Sequence, residues 1–238
     1  MTVDIRRFES VPSTMDVAAA LAADGAAHGV VVLAARQTAG RGRRGASWAS
    51  PPGAGLYLSL ITRPLDQHTI PLITIAAGVG VRDGIVKCTG LAPALKWPND
   101  LLVGRRKLAG ILAEGHGIGS SGQAVVIGVG LNVRAAAYPP DVAARATSIE
   151  DELGRAVDPE LLLDQILASL EASLAALPQN PGDILQAWRA ASPSAHGTRV
   201  EWDGGRGTTA GVDDTGALLV TTATGVERVI AGQLHWDL

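Results

Sequence analysis

The feature that most constrains the fold is a series of strand-length apolar runs separated by glycine-rich segments. Runs rich in Val, Ile and Leu occupy residues 30–35, 56–61, 108–113 and 124–133. Runs of this length with turn residues at their ends indicate β-strands, because helical segments are longer and show a 3.6-residue period. Aromatic residues make up only 3% of the chain, so small aliphatic side chains must fill the interior. We therefore expect a mixed or antiparallel sheet.

Helical segments lie between the predicted strands. Ser13 precedes an alanine-rich segment that ends near Gly25, which gives a helix with an N-cap and a C-terminal stop. Further helices are expected at residues 71–88, 159–177 and 183–191. This order of elements predicts an α+β domain in which helices flank the sheet.

The pattern of the sequence changes after Pro193 from long helical segments to short strand-like runs. Short Val, Thr and Leu runs then alternate with turn signals such as residues 203–205 and 213–216. This pattern predicts a small β module of about five strands, closed as a barrel. We therefore divide the chain into a larger α+β domain, residues 1–192, and a C-terminal β domain, residues 193–238.

Charge and cysteine content argue against several classes of function. The net charge of −3 and the pI near 5.9 disfavour general nucleic-acid binding, since such domains are usually basic. A single cysteine, Cys88, rules out an internal disulfide framework and fits a cytoplasmic location.

The histidines show no metal-ligand spacing, so no protein-bound metal is predicted. The apolar run at residues 70–81 is too short to cross a bilayer, and we expect no membrane association.

Residues 40–45 read Gly-Arg-Gly-Arg-Arg-Gly and follow a predicted buried strand. The pattern matches the dinucleotide fingerprint, but that fingerprint needs a helix that begins within it, and Pro51 and Pro52 prevent one. The glycines let the backbone approach a ligand, and the arginines supply donors for carboxylate and phosphate oxygens. We interpret the segment as an anion-binding loop, mobile when empty and ordered by its ligand; a solvated basic loop is the alternative.

Three further segments bring polar groups to strand ends or remove side chains from strands. Residues 96–100, Lys-Trp-Pro-Asn-Asp, leave an amide and a carboxylate where a strand turns. Lys107 opens an apolar strand that contains Gly110, and another strand likewise has glycines in its interior, at residues 128–132. Because glycine within a strand indicates the close approach of a ligand or another backbone, these two strands predict a floor for a flat ligand.

In their order and spacing these segments resemble the biotin protein ligase family. The resemblance covers most of the chain and is carried by residues 40–45, Trp48, and residues 96–100, 107–112 and 128–132. It implies a class II synthetase-like catalytic domain followed by an SH3-like β-barrel. It also implies that biotin and ATP, with Mg²⁺, form biotinyl-5′-adenylate and pyrophosphate. Biotin then passes to a lysine of the biotin carboxyl carrier domain of a biotin-dependent carboxylase.

The resemblance also implies roles for individual residues. Lys107 and Arg43 are the implied catalytic cations, and Asp100 would hold or deprotonate the acceptor lysine, with a turn cap or a Mg²⁺-shell group as equal alternatives. Met15 stands where an Asn is common in the family, which leaves a side-chain contact there open. The implied biotin and nucleotide contacts, among which Trp48 resembles the residue that stacks on adenine, are Ser13, Thr14, Gln37, Gly40, Arg41, Gly42, Arg43, Trp48, Asn99, Lys107, Gly110, Gly128, Gly130 and Asn132.

Other functions remain open on the sequence alone. A lipoate–protein ligase shares the adenylate chemistry, although the Gly-Arg loop and the C-terminal module favour biotin. A non-catalytic module that binds biotin or the adenylate would not need Lys107 and the loop arginines. Because little chain precedes the predicted catalytic domain, we expect ligase activity without DNA binding. The resemblance leaves a homodimer open, since family members pair through sheet edges.

Overall fold

The structure, a computed structural model, describes residues 4–63, 66–136, 138, 140–230, 232 and 234–237. The outer ends of the two predicted domains, residues 1–3 and 238, lie outside these residues. The first part of the chain forms, in order, β1 (Asp4–Phe8), α1 (Thr14–Ala23), β2 (Val30–Ala34), β3 (Gly55–Thr62), α2 (Ile73–Thr89), β4 (Ala94–Lys96), β5 (Asp100–Val103), β6 (Arg106–His116), β7 (Ala124–Asn132), α3 (Pro140–Ala143), α4 (Ile149–Leu153), α5 (Pro159–Ala176) and α6 (Pro181–Ala190). The second part forms β8 (His196–Trp202), β9 (Gly205–Val212), β10 (Leu218–Thr222), β11 (Gly225–Val229) and β12 (His235–Asp237).

Strands β1 to β7 form one mixed sheet in the order β1-β2-β3-β7-β6-β5-β4. The β1–β2 pair is parallel, and the other neighbouring pairs are antiparallel. One face is covered by α2 and α5, which pack on side chains such as Val31 and Ile127. The other face is covered by α1 over β2, β3 and β7, where Val32 and Val126 lie, and α1 also touches β6. The predicted α+β fold is confirmed, and part of one sheet face stays open for a ligand.

Helix α1 begins where its sequence predicts. The Ser13 hydroxyl accepts a hydrogen bond from the Met15 backbone N–H, at 3.2 Å, and so satisfies one of the free donors of the first turn. Gly25 follows the last turn with φ of +87°, a conformation that favours glycine. Residues Met15, Ala18 and Ala22 face the sheet, since positions three and four apart share one side of a helix.

Among the described residues, one helix is long and apolar enough by length and composition to cross a membrane, residues Gln67–Thr89, and it is a core helix with a leading 3₁₀ turn. It has 23 residues with a mean hydropathy of 1.4 in its most apolar window, and 67% of that window is buried within the fold. A Cβ on Gly80 would lie 2.6 Å from the Leu170 Cα, and one on Gly84 would lie 2.5 Å from the Ile166 Cα. The two glycines therefore let α2 and α5 touch along their backbones, which explains the burial of this helix pair.

The C-terminal strands form a separate antiparallel sheet in the order β11-β10-β9-β8-β12, which confirms the predicted β module. Its apolar residues Val200, Val212 and Leu218 belong to the same buried cluster as the main sheet. The Trp97 indole Nε1 donates to the Gly216 carbonyl oxygen at 2.9 Å. The two sheets are therefore packed together, while closure into a barrel and the boundary between residues 192 and 193 remain predictions.

Candidate active site

The open part of the sheet carries a row of four residues in register. Lys96 on β4 pairs with Asp100 on β5, Asp100 pairs with Gly110 on β6, and Gly110 pairs with Gly130 on β7. Directly paired residues of antiparallel strands project to the same face. The row therefore places two charged side chains beside a stretch of sheet that has no side chains.

Trp48 lies on the two glycines of this row. A Cβ on Gly110 would lie 3.1 Å from the Trp48 Cζ3, and a Cβ on Gly130 would overlap the indole at Nε1 and Cε2. The glycine floor predicted from the strands thus receives an aromatic ring. Within the described part of the chain, the Trp48 Nε1 is buried without a hydrogen-bond partner. An unpaired buried donor is costly, and this one lies against the backbone of Gly130 on the sheet.

The Gly-Arg loop is a compact turn rather than the start of a helix. Arg41 and Ser47 form an antiparallel bridge, and the Gly42 N–H donates to the Ala46 carbonyl at 2.6 Å. A 3₁₀ turn spans Arg43–Gly45, in which Arg44 has φ of 55° and ψ of 36°, a left-handed conformation uncommon for residues with a side chain. This geometry agrees with the rejection of the dinucleotide fingerprint.

Arg41 is neutralised by two carboxylates. Its guanidinium donates to both Glu114 carboxylate oxygens, at 3.0 and 2.8 Å, and lies 3.0 Å from an Asp16 oxygen. Asp16 is in the first turn of α1 and Glu114 is on β6, so the pairs tie the loop to both walls of the pocket. Among the residues the structure describes, Arg43 and Arg44 form no ion pair. They are therefore the loop cations available to an anion.

Two lysines lie near Asp100, and each is positioned over an indole ring. The Lys107 Nζ is 2.6 Å from the Asp100 Oδ1 and 5.4 Å from the Trp48 ring centroid. The Lys96 Nζ is 5.2 Å from the Trp236 ring centroid, and both distances are within cation–π range. Asp100 is ion-paired with Lys107, and Lys96 lies opposite it on the neighbouring strand, so this end of the pocket carries excess positive charge.

Burial raises the cost of these positive charges. Desolvation is the main cause that lowers the pKa of Lys96, with Lys107 lowering it further and Asp100 opposing the shift. Desolvation also lowers the pKa of Arg43, assisted by Arg44 and opposed by Asp100. Such groups are stabilised when a negative ligand enters, as expected of an anion site.

The backbone of Lys107 is held at both of its polar groups. Its N–H donates to the Arg145 carbonyl at 2.7 Å, and its carbonyl accepts from the Thr147 N–H at 3.0 Å. The Asn132 Nδ2 donates to the carbonyls of Lys107 and Thr147, at 3.4 and 3.0 Å. This support fixes the start of β6, and with it the position from which the Lys107 side chain extends.

The opposite end of the pocket is a neutral hydrogen-bond network. The Gln37 Oε1 accepts from the Thr14 N–H at 2.8 Å and from the Thr14 hydroxyl at 3.1 Å. The Gln37 Nε2 donates to the Ser50 hydroxyl, and the Ser59 hydroxyl donates to Thr14 Oγ1, each at 2.8 Å. Hydroxyl and amide groups held in this way can pair with a neutral polar ligand, in contrast to the cationic end.

These groups surround one cavity of about 520 Å³, a volume typical of a small-molecule site. Apart from three, the residues expected from the sequence all line it. Those that do so are Thr14, Gln37, Arg41, Gly42, Arg43, Trp48, Asn99, Asp100, Lys107, Gly110, Gly128 and Gly130.

Ser13, Gly40 and Asn132 are outside the lining of this cavity. Ser13 is buried as the N-cap of α1. Gly40 is buried where a Cβ would lie 2.5 Å from the Trp48 carbonyl oxygen, so it permits the loop to fold back on itself. Asn132, 3% exposed, supports Lys107 as described. All three residues therefore support the residues that line the cavity.

Arg44, expected as a loop donor, and Met15, where a contact was left open, also line the cavity. The sequence analysis missed other lining residues, among them Lys96, Leu234 and Trp236. Met15 fills the space over Gly128, where a Cβ would lie 2.6 Å from its Sδ. A signal for Lys96 existed, because it opens the same Lys-Trp-Pro-Asn-Asp segment that supplied Asn99 and Asp100. No local signal exists for Trp236, which reaches the pocket from the other sheet.

The cavity can bind a ligand that is anionic at one end, flat in the middle and neutral at the other. Among the described residues, no group of three His, Cys, Asp or Glu side chains is arranged to hold a metal ion. The side chains of Asn99 and Asp100 are the oxygen-bearing groups beside the cations, and the Asn99 Nδ2 donates to the Ile111 carbonyl at 2.7 Å. A metal that enters with a phosphate substrate would find its oxygen ligands there.

Comparison with known proteins gives a consistent result. The model of the biotin/lipoate A/B protein ligase family matches residues 7–132. The biotin–[acetyl-CoA-carboxylase] ligase of Mycobacterium tuberculosis is 36% identical over 218 residues, 87% of this chain and 78% of that protein. The Paracoccus denitrificans protein of the same name is 35% identical over 219 residues, 86% and 89% of the two chains. The biotin protein ligase from Aquifex aeolicus, solved with biotin and ATP, shares the fold with a TM-score of 0.84 at 24% identity, covering 98% of this chain and 99% of that one.

Proposed function

Because the chain belongs to the biotin/lipoate A/B protein ligase family, we infer from its pocket that it is an ATP-dependent biotin–protein ligase. It activates biotin as biotinyl-5′-adenylate and transfers biotin to a lysine. The named relatives favour this function over a lipoate ligase or a non-catalytic binding module. The observation that carries the proposal is the single cavity that joins a neutral polar end, a glycine floor under Trp48 and a cluster of cations.

In the first half-reaction, a biotin carboxylate oxygen attacks the α-phosphorus of ATP, and pyrophosphate leaves. The two anions repel each other, so the site must supply positive charge where they meet. We assign this role to Lys107 and Arg43, with Mg²⁺ entering as the complex with ATP. Loss of one such preorganised group typically costs roughly 3–4 kcal/mol of transition-state stabilisation.

The two ends of the cavity divide the substrates. We assign the biotin ureido ring to the Thr14 and Gln37 network, because neutral amide and hydroxyl groups suit a neutral cyclic urea. We assign the adenine to Trp48, whose indole lies on Gly110 and Gly130 and presents an aromatic face. We assign the biotin bicycle and its valeryl chain to the cavity beside the glycine strands, where Trp48 covers Gly110 and Gly130 and Met15 covers Gly128. The side chain of Arg41, paired with Glu114 and Asp16, holds the loop, and its backbone contacts biotin.

In the second half-reaction, the ε-amine of the acceptor lysine attacks the acyl carbon, an amide forms and AMP leaves. The amine must first lose a proton. Asp100 is the carboxylate at the pocket and is paired with Lys107 at 2.6 Å. We propose that the acceptor ammonium takes over part of this pairing, so that Asp100 orients the amine and accepts its proton.

The acceptor is the biotin carboxyl carrier domain of a biotin-dependent carboxylase. We place the enzyme in the cytoplasm, where its ATP is supplied, and we retain a homodimer through sheet edges as the proposed assembly. The net charge of −3 supports recognition of small anions by a local cationic pocket over binding of a nucleic acid by the whole surface.

The test measures each half-reaction separately. The purified chain is incubated with Mg²⁺, ATP and either biotin or lipoate, and pyrophosphate release is followed; we expect release with biotin. Labelled biotin is then chased onto a carboxyl carrier domain. Release with lipoate alone would reject the proposal in favour of a lipoate ligase, and release with neither acid would support a binding module.

Asp100→Asn tests the second step. We expect adenylate formation within about threefold of the unmodified protein and transfer slower by roughly a hundredfold, in the range of a lost general base. An equal loss in both half-reactions would reject the assigned role and favour a Mg²⁺-shell group. A loss in neither would favour a turn cap.

A further inference from the structure

Trp236 is the one aromatic residue of the C-terminal sheet that lines the described part of the cavity. Its strand, β12, pairs with β8 and not with the main sheet. The indole nevertheless lies 5.2 Å from the Lys96 ammonium. The C-terminal module therefore supplies a side chain to the active site, and that side chain contacts a cation.

Lys96 is placed as an active-site residue by the sheet register. It is opposite Asp100 on the neighbouring strand, in the same cross-strand row as the glycine floor. Lys107 reaches the same carboxylate from β6. Asp100 can neutralise one of the two lysines only, so an unneutralised ammonium remains in the pocket. Arg43 and Arg44 also form no ion pair among the described residues. Together with the unneutralised lysine they carry more positive charge than a single carboxylate ligand would balance.

The two lysines are arranged alike but held by different parts of the chain. Lys107 lies under Trp48 of the Gly-Arg loop, and Lys96 lies under Trp236 of the C-terminal sheet. A long lysine side chain has many rotamers, and ordering it costs free energy. An indole face that attracts the ammonium reduces that freedom before the ligand arrives.

On the basis of the proposed function, we propose that Lys96 is a phosphate-binding residue for the nucleotide and that Trp236 is its positioning residue. The ligand chemistry is that of a nucleoside triphosphate, whose chain carries more negative charge than Lys107 and Arg43 offset. The pyrophosphate that leaves in the first half-reaction would remain paired with Lys96. Biotin, bound at the Thr14 and Gln37 end, would not contact either residue.

The test is a double-mutant cycle on Lys96→Gln and Trp236→Leu, read as the KM for ATP, the kcat for pyrophosphate release and the Kd for biotin. We expect Lys96→Gln to raise the KM for ATP by roughly tenfold or more, and Trp236→Leu to raise it by about three- to tenfold, the range of a partly desolvated cation–π contact. The Kd for biotin should change in neither variant. In the Lys96→Gln background, Trp236→Leu should add no further increase, because a positioning residue acts through the residue it positions.

Two conservative variants keep the test decisive if packing is disturbed. Lys96→Arg should recover most of the ATP affinity lost in Lys96→Gln, since the charge is kept, and Trp236→Phe should fall between tryptophan and leucine. Trp202→Leu is the matched control, because Trp202 belongs to the same C-terminal sheet but is outside the cavity lining. It should leave the KM for ATP unchanged.

The outcomes separate this inference from the proposed function. Additive effects of the two substitutions would show that Trp236 acts independently of Lys96 and would overturn its positioning role. An unchanged KM for ATP in Lys96→Gln, with an unmodified protein that releases pyrophosphate from biotin and ATP, would overturn the role of Lys96 alone. Absence of pyrophosphate release by the unmodified protein would instead reject the proposed function.

Discussion

Arg41 and Glu114 form a bidentate ion pair that joins the Gly-Arg loop to strand β6. Both guanidinium nitrogens donate to the carboxylate, at 3.0 and 2.8 Å, and the contact raises the pKa of Arg41 further above its usual value. Asp16 adds a second acidic partner. The loop arginine that precedes Arg43 therefore serves to hold the loop, and the charge offered to a ligand comes from its neighbours.

Loss of this ion pair should loosen the loop over a bound ligand. We expect Glu114→Gln to speed dissociation of biotinyl-5′-adenylate about fivefold, corresponding to about 1 kcal/mol, the upper range for a partly exposed pair. Arg41→Gln also removes the Asp16 contact, so it should speed dissociation at least as much, and the double variant should be no faster than Arg41→Gln. Glu160→Gln, which breaks the bidentate pair with Arg7 elsewhere on the surface, is the control. Additive effects would mean that Arg41 contacts the ligand directly.

The glycine floor should not tolerate a methyl group under Trp48. In Gly130→Ala the Cβ would overlap the indole, so the ring must shift from its position at a cost of about 1–3 kcal/mol. We expect the KM for ATP to rise at least fivefold in the pyrophosphate assay. Gly182→Ala is the control, because a Cβ there meets nothing within 4 Å. Equal KM values for ATP in the two variants would contradict the assignment of Trp48 to the nucleotide site.

Asn132 should matter for stability and for the placement of Lys107. In Asn132→Ala, two buried carbonyls lose a donor, so the free energy of unfolding should fall by about 1–3 kcal/mol. Urea denaturation should show a lower midpoint at unchanged slope. Asn180→Ala, at an exposed helix start with no side-chain cap, should leave the midpoint unchanged. A raised KM for ATP without loss of stability would instead favour direct ligand contact by Asn132.

The stability of the C-terminal module should depend on pH through the Asp213 carboxyl. Burial alone would raise the pKa of this carboxyl, but hydrogen bonds from Thr215, Arg228 and Ala217 outweigh burial and lower the pKa to about 2. The unfolded value is about 3.9, so the stabilising contribution is complete above that pH and is lost as the pH falls toward 2.

Thermal unfolding of Asp213→Asn tests this pH dependence. At pH 7 the variant should melt below the unmodified protein, and the difference in melting temperature should shrink steadily from pH 5 to pH 3. Asp214→Asn is the control, because the Asp214 side chain is 93% exposed. A difference for Asp213→Asn that stays constant with pH would contradict the assigned pKa.

Features with a local physical cause were predicted from the sequence. The Ser13 cap, the strands at residues 30–34 and 124–132, and the helix that begins at Pro159 each depend on neighbouring residues. The family resemblance implies a ligand contact for Asn132, which ends the strand that carries Gly130. Residues 145–147, which carry no periodic signal, cover that end of the strand. In the structure the Asn132 side chain supports the Lys107 and Thr147 carbonyls, a contact that no local pattern predicts.

Features that depend on contacts across the fold were missed. Glu114 is 73 residues from Arg41 in sequence, and no spacing rule links them, so the loop arginines were counted as three ligand cations. Trp236 falls within the predicted β domain of residues 193–238 and lies on strand β12 of the C-terminal sheet. That β12 turns its indole toward Lys96 depends on how the two sheets pack, which single-sequence patterns do not encode.

The hydrogen bond from Trp97 to the Gly216 carbonyl has a consequence for modularity. Replacing the C-terminal β domain, residues 193–238, by another β domain would leave the Trp97 indole N–H without its acceptor beside the cavity. It would also remove the part of the cavity wall that Leu234 and Trp236 form. The C-terminal sheet is therefore part of the cavity wall, and an exchanged β module would have to restore both the acceptor for Trp97 and that wall.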